Sequence, residues 1–474
     1  MKHLILITAL ILVTGCSVNP VTGKQDFVLI SETQEIQMGR EYNSQVLKQF
    51  PVYQDEELQN YVQEIGESLA EKSHRPNLIY RFTVLDSPDI NAFALPGGYI
   101  YINRGLMSYL SNEEELAAVL GHEIGHVTAR HSVRQYSQSQ LMGVLSAAVE
   151  INAGRTAGNL ANIASGAILS GYGREMELEA DDLGAQYIHQ DGYSPQGMYE
   201  VLSVLKDQEI YSKKIAEQRG QEPRSYHGVF ASHPSNDLRL QEVLNNVSVS
   251  FKKGTRKQQD TYLEKIEGMV FGDSEQSGVR RGSKFYHGPL NLYLAAPDSW
   301  EIINTPSTLI FSSSYGEAFL QMTLEDLNFK ETPEEYIKRF ATNIYSERTL
   351  NINGFEGFSA TTKRSGRTAR MAVIFKGNQV YQFIGYMKNE SLNFQKFDSD
   401  FLKIINSFRT LEDEEIALSK PLRIRAYKVR KGDTYSKLAL MSGININAED
   451  QLRLINGDYP DKPLSEGRII KVVE

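Results

Sequence analysis

The 474-residue chain is short of several things, and each shortage narrows what it can be. It holds a single cysteine, Cys16, so no disulfide can close within it. Beyond the first fifteen residues no apolar run reaches the length of about 20 that a membrane-spanning helix needs. There is no block of basic residues, and acidic side chains outnumber basic ones 59 to 50, for a formal net charge of −9. That balance argues against nucleic acid as a partner. The chain also lacks a long internal repeat and any low-complexity tract.

What remains is an ordinary globular composition, 41% hydrophobic and 23% charged, in a length that suits about two to four domains. The chain opens on "MKHLILITALILVTGCS". Lys2 and His3 make a basic start, and Leu4 to Val13 an apolar core too short to stay as a permanent span. This is the pattern of a secretory signal over residues 1–15. Val13-Thr14-Gly15-Cys16 resembles a bacterial lipobox, which implies cleavage before Cys16 and a diacylglycerol on its thiol. Ser17 follows, where an aspartate is absent. By resemblance to Gram-negative lipoproteins, that points to the outer membrane, with the body on the periplasmic side.

Three folded regions are expected after the signal: 16–272, 285–410 and 422–474. Polar, Gly/Ser-rich "GDSEQSGVRRGS" separates the first two, and a charged linker at 411–421 the last two. In the first region Ser31 with Gln34 reads as a capping box, and so does the Ser111 to Glu114 stretch. "YRFTVL" reads as a strand. "NAFAL" and "YIYIN" flank Pro96-Gly97-Gly98 as a hairpin, and the strand at Tyr99 to Ile102 is expected to be an open edge able to hold an extended peptide. Residues 137–172, rich in Gly, Ala and Ser, are a candidate lid. In 285–410 strands alternate with one or two helices, Thr332 to Glu335 caps one helix, and a hairpin turns at Gly377-Asn378. That region carries no catalytic constellation, so adaptor or regulator is its expected role.

The chemistry lies in "LAAVLGHEIGHVT". On a helix, residues four apart differ by about 40° around the axis, so His122 and His126 project from one face. Glu123 is turned about 100° from His122, beside a metal shared by the two imidazoles and not on it. Two histidines, a third ligand and an open position suit zinc. His131 does not fit as that ligand. The metzincin spacing would need glycine at Ala129 and histidine at Ser132, and on an unbroken helix His131 points away from His122. It reads as a surface or second-sphere residue. In "GREMELEADDLGAQYI", Met176, Ala180, Leu183 and Tyr187 form an apolar stripe, with Glu177 and Asp181 four apart beside it. One of these carboxylates can ligate zinc and the other can accept a ligand histidine's N–H, or the acidic run is a solvated face.

"HEIGH" followed by "REMELEAD" resembles the gluzincin family of HtpX-type and CAAX-prenyl-protease-type metalloproteases. "NPVTGK", "NAFALPGGYIYINRGLM" and "SHPSNDLR" resemble its secreted, BepA-like lipoprotein branch. The resemblance covers roughly 17–260. It implies a multidomain α+β chain whose first part is a mainly helical zincin-type metalloprotease domain with a small β-sheet. It implies one Zn2+ held by His122, His126 and Glu177, Asp181 as the supporting carboxylate, and Glu123 as general base. His233 becomes a switch ligand or an oxyanion stabiliser. The implied activity is cleavage of misfolded or unassembled envelope polypeptides. Residues 427–473 resemble a LysM module of strand–helix–helix–strand order, with Asp433 or Thr434 capping its first helix. That resemblance implies peptidoglycan, and lipidated Cys16 implies the membrane, as further partners. The competing readings are a periplasmic chaperone or assembly factor with a latent or structural metal site, and a glycan-tethered scaffold.

Overall fold

The computed structural model describes residues 16–140, 171–218, 239 and 259–474, apart from 328–329, 342, 365–366 and 390–391. The signal 1–15, most of the candidate lid and His233 lie outside the described residues. The chain divides into two compact units. The first joins residues 1–269 to 423–442 and 448–474; the second comprises 270–422 and 443–447. The C-terminal segment thus groups with the N-terminal domain despite its distance in sequence. Among the described residues no helix is long and apolar enough to cross a membrane.

In the first unit, β1 (Cys16–Val18) and β2 (Gln25–Phe27) pair antiparallel. The "NPVTGK" turn between them is pinned by Asn19, whose Oδ1 accepts from the N–H groups of Val21 and Thr22 at 2.8 and 3.1 Å. Helix α1 (Glu32–Gln49) starts at the expected capping box of Ser31 and Gln34. Helix α2 (Glu56–Glu71) buries Leu58, Tyr61, Val62, Ile65 and Leu69, one face of a 3.6-residue period.

Strands β3 (Arg81–Leu85), β4 (Ala92–Leu95) and β5 (Tyr99–Asn103) form a sheet in the order β3-β5-β4. β5 runs parallel to β3 and antiparallel to β4. The expectation of an open edge at Tyr99 to Ile102 is therefore wrong. β5 is the central strand, paired on both sides, and all its residues are buried. The β3 edge is occupied by two glutamines of α2. Gln63 Oε1 accepts from Phe82 N at 2.8 Å, and Gln59 accepts from Val84 N and donates to Val84 O, both at 2.9 Å. β4 is the remaining edge.

After α3 (Arg104–Tyr109) comes the buried helix α4 (Glu113–Thr128), which carries both histidines. Its N-cap is Asn112, one residue later than expected, accepting from Glu115 N at 2.9 Å. Glu113 receives the buried hydroxyls of Tyr61 and Tyr193 at 2.9 and 2.7 Å, and negative charge in this first turn suits the helix dipole. At the far end Arg75 donates to Val127 O at 3.1 Å, and Glu35 bridges Arg75 and Arg130. Arg130 has a φ of +55°, and residues 131–140 resume as a helix in a new direction. α4 packs on α5 (Arg174–Gln190) and on α6 (Gln196–Gln218).

The C-terminal segment has the order strand (Leu422–Lys428), helix (Tyr435–Met441), helix (Ala448–Ile455), strand (Ile469–Val473), the two strands antiparallel. Thr434 caps its first helix, while Asp433 closes the preceding loop on Arg430 N. From it the fully buried Lys471 donates to the carbonyls of Ser108 and Leu110 at 2.9 and 2.5 Å. Asp450 accepts from Lys214 of α6 at 2.8 Å.

The second unit holds a three-stranded antiparallel sheet over Val279–Arg281, Lys284–His287 and Leu292–Ala295 and a seven-stranded antiparallel sheet. The order of the larger sheet is Glu301–Asn304, Leu309–Ser312, Ala318–Asp326, Gln379–Met387, Arg367–Lys376, Phe355–Arg364, Ile344–Ile352. Helix Phe394–Asn406 covers a core of Trp300, Phe311, Phe383 and Phe401. The Thr332 cap and the turn at Gly377-Asn378 stand where the sequence pointed. The expected linker at 411–421 is folded instead, with short 3-10 turns at Asp413–Glu415 and Ala417–Ser419 and Arg409 forked onto Glu415 at 2.6 and 2.8 Å.

Candidate metal centre

The centre forms where α4 and α5 cross, and glycine decides how closely. A Cβ on Gly184 would lie 2.8 Å from His122 N, and one on Gly125 2.9 Å from Ala180 O. Gly121 would place its Cβ 3.2 Å from Gly184 O. Missing side chains let the two backbones touch, so a carboxylate of α5 reaches the histidine face of α4.

Three donors converge there. His122 Nε2 and His126 Nε2 stand 2.9 Å apart, and the two oxygens of Glu177 lie 3.5 Å from them, one each. His122, His126 and Glu177 are all buried, with candidate ligand atoms within 4.8 Å of one another. Ligands about 2 Å from a tetrahedral zinc stand roughly 3.3 Å apart, so the spacing fits. Among the described residues, three buried carboxylates, Glu123, Glu177 and Asp181, lie close to the buried Arg239 guanidinium.

The acidic run on α5 is resolved by burial. Glu175 and Asp182 are exposed, whereas Glu177 and Asp181 are buried and turned to the histidines. Asp181 Oδ1 stands 2.8 Å from His122 Nδ1. Burial works against the Asp181 carboxylate, but Arg239 and His122 hold it below the ordinary range. His122 is pulled the opposite way. Burial pushes its pKa down, and the hydrogen bonds to Asp181 and Glu177 outweigh that and raise it to about 9. Glu123 lines an apolar hollow beside His122, walled by Leu106 and Val119 and, from α6, Met198, Val201 and Leu205. Ala92, on the β4 edge, lines the same hollow.

Two features, Arg239 and Tyr172, escaped the sequence reading, and a third residue was left between two readings. Arg239 forks onto Asp181 with two 2.6 Å hydrogen bonds and reaches Glu177 at 3.1 Å. It belongs to the "SHPSNDLR" stretch already singled out, where attention fell on His233. Tyr172 stacks on the His126 ring, centroids 4.0 Å apart at 20°. His131, read as a surface or second-sphere residue, is fully buried and touches His126, so the second reading holds. The helix assumed to be unbroken breaks at Arg130, and the turn brings His131 inward. Cys16 sits in the N-terminal strand pair, apart from these donors in sequence and element.

Residues 56–247 match the model of peptidase family M48. The chain is similar to the beta-barrel assembly-enhancing protease of Yersinia pestis, 30% identical over 58% of this chain and 57% of that one. It is similar to the protein of the same name from Escherichia coli K12, 31% identical over 50% of this chain and 48% of that one. Metalloprotease YcaL of E. coli K12 is 30% identical over 35% of this chain and 62% of its own. The chain thus spans about half the length of the first two relatives. Over residues 56–247, which hold the His/His/Glu cluster, the chain is thus similar to metalloproteases of family M48.

Proposed function

We propose that this M48-type chain is a zinc endopeptidase that cleaves misfolded or unassembled cell-envelope polypeptides. The convergence of His122 Nε2, His126 Nε2 and the Glu177 carboxylate on one buried point carries the reading. Bound zinc would supply a Lewis acid for the scissile carbonyl and would lower the pKa of a water to about 7. Glu123 takes the proton of the attacking water on its carboxylate and returns it to the leaving amine. Asp181 holds His122 in the tautomer that presents Nε2, and Arg239 holds Asp181 ionised.

Substrate binding follows from the sheet. Among the described residues β4 pairs with a strand on one side alone, and it lies against α4. An extended peptide added to β4 would pair through its main chain, which accepts many sequences, and would direct one apolar side chain into the hollow. That tolerance suits unfolded substrates, and the relatives' printed name supports the envelope assignment. Lipid on Cys16 would tether the body to the periplasmic side of the outer membrane. Residues 427–473 would contact peptidoglycan, His233 would gate the metal as a switch ligand, and 137–172 would act as a lid.

The test is Glu123→Gln in the purified full chain, with zinc content and cleavage of an unfolded protein measured together. Zinc retained with cleavage lost by at least about 100-fold is the expected result. Undiminished cleavage would sink the proposal. A full cellular phenotype from a cleavage-dead variant would favour the chaperone reading.

A further inference from the structure

The two ligand histidines are supported differently. His122 rests on a carboxylate directly, its Nδ1 2.8 Å from Asp181 Oδ1. His126 Nδ1 instead meets another imidazole, His131 Nδ1, at 2.8 Å. His131 Nε2 in turn stands 3.0 Å from Glu179 Oε2, and that oxygen also accepts from Arg134 Nη1 at 2.9 Å. His131 is completely buried, and its ring meets that of His126 edge to face, at 70° with centroids 4.9 Å apart.

Proton bookkeeping along this line has one solution. With a metal on Nε2, the His126 proton resides on Nδ1 and can only be donated. His131 Nδ1 must then accept, so the His131 proton sits on Nε2, where Glu179 accepts it. We infer that His131 is a positioning residue for the metal centre, relaying the Glu179 carboxylate to His126 and fixing its tautomer and ring orientation. This rests on the proposed metal site and adds a supporting line to it. The break at Arg130 is what makes the line possible, because a continued helix would carry His131 away from His126. Tyr172 completes the cage. It stacks on a face of His126 while its hydroxyl and Ser132 Oγ, 2.7 Å apart, tie it to the residue after His131.

The experiment uses the purified full chain and reads zinc affinity by chelator competition, the visible spectrum of the cobalt form, and thermal unfolding of the metal-free protein. His131→Leu should lower zinc affinity about 10- to 100-fold and shift the cobalt bands. His131→Asn, whose Oδ1 replaces the Nδ1 acceptor, should recover most of the affinity. His131→Gln, which presents its amide toward Glu179, should not. Glu179→Ala should lose affinity in the same direction. Wild-type affinity in His131→Leu or Glu179→Ala overturns the relay, as does an Asn variant no better than the Gln variant. If His131→Leu fails to fold, the Asn and Gln pair decides the matter alone. His126→Ala serves as the control: undiminished zinc binding there would defeat the metal site itself, a result distinct from failure of the relay.

Discussion

His122 and His126 are the same residue type on one helix face, yet the fold gives them different chemistry. Hydrogen bonds to Asp181 and Glu177 raise His122 to about 9 in the metal-free protein, against burial and the nearby Arg239 charge, which both lower it. The sign has two consequences. A histidine whose folded pKa lies above its unfolded value near 6.5 stabilises the metal-free fold fully below about pH 6.5, and that contribution is lost as the pH rises through about 9. Metal must also displace this proton. Zinc uptake at pH 7 should therefore release about one proton per chain, and apparent affinity should climb until about pH 9. Calorimetry in two buffers of different ionisation enthalpy measures this, and identical heats in both would contradict it. Identities of this kind were legible in the sequence: His122, Glu123 and His126 by spacing, Glu177 and Asp181 as alternatives. Spacing alone left ligand and solvated face open; the family resemblance already implied Glu177 as ligand, and in the structure Glu177 is buried where Glu175 is exposed.

Among the elements, the crossing of α4 and α5 sets the site's dimensions. The glycines of "GHEIGH" are spacers that set the distance between helices, since Gly121 and Gly125 meet Gly184 and Ala180 with no room for a methyl group. Gly184→Ala should push the helices apart, cost roughly 1–3 kcal/mol as overpacking does, and weaken zinc binding. Denaturant unfolding of the metal-free protein together with chelator competition checks both effects; a variant with unchanged affinity would show that the crossing has slack. Helix starts were readable because caps are local, as at Ser31 and Thr332. The central placement of β5 was not, because pairing partners are set by contacts distant in sequence. Nor was the turn at Arg130, which Glu35 holds from α1.

At the scale of the whole molecule, the C-terminal segment is an integral part of the first unit. Lys471 ties it to the carbonyls of Ser108 and Leu110, immediately ahead of the Asn112 cap of α4. Burial drives the Lys471 ammonium down to about 7 and the Glu115 carboxyl up to about 7. Replacing Lys471 with methionine would leave those carbonyls dry and unpartnered, at about 1–3 kcal/mol. The expected result is a lower denaturant midpoint with an unchanged slope. An unaltered midpoint would mean the segment rides on the domain without bracing it.

The sequence by itself determined which atoms are available for chemistry and where the helices carrying them begin and end. Spacing along one helix and capping are short-range matters, decided within a few residues. Tertiary structure alone decided that Arg239 pairs with both Asp181 and Glu177. It also decided that His131 turns inward, and that Lys471 sits beside the start of the helix that carries His122 and His126. Those outcomes depend on burial and charge pairing between segments tens to hundreds of residues apart, which no local pattern encodes.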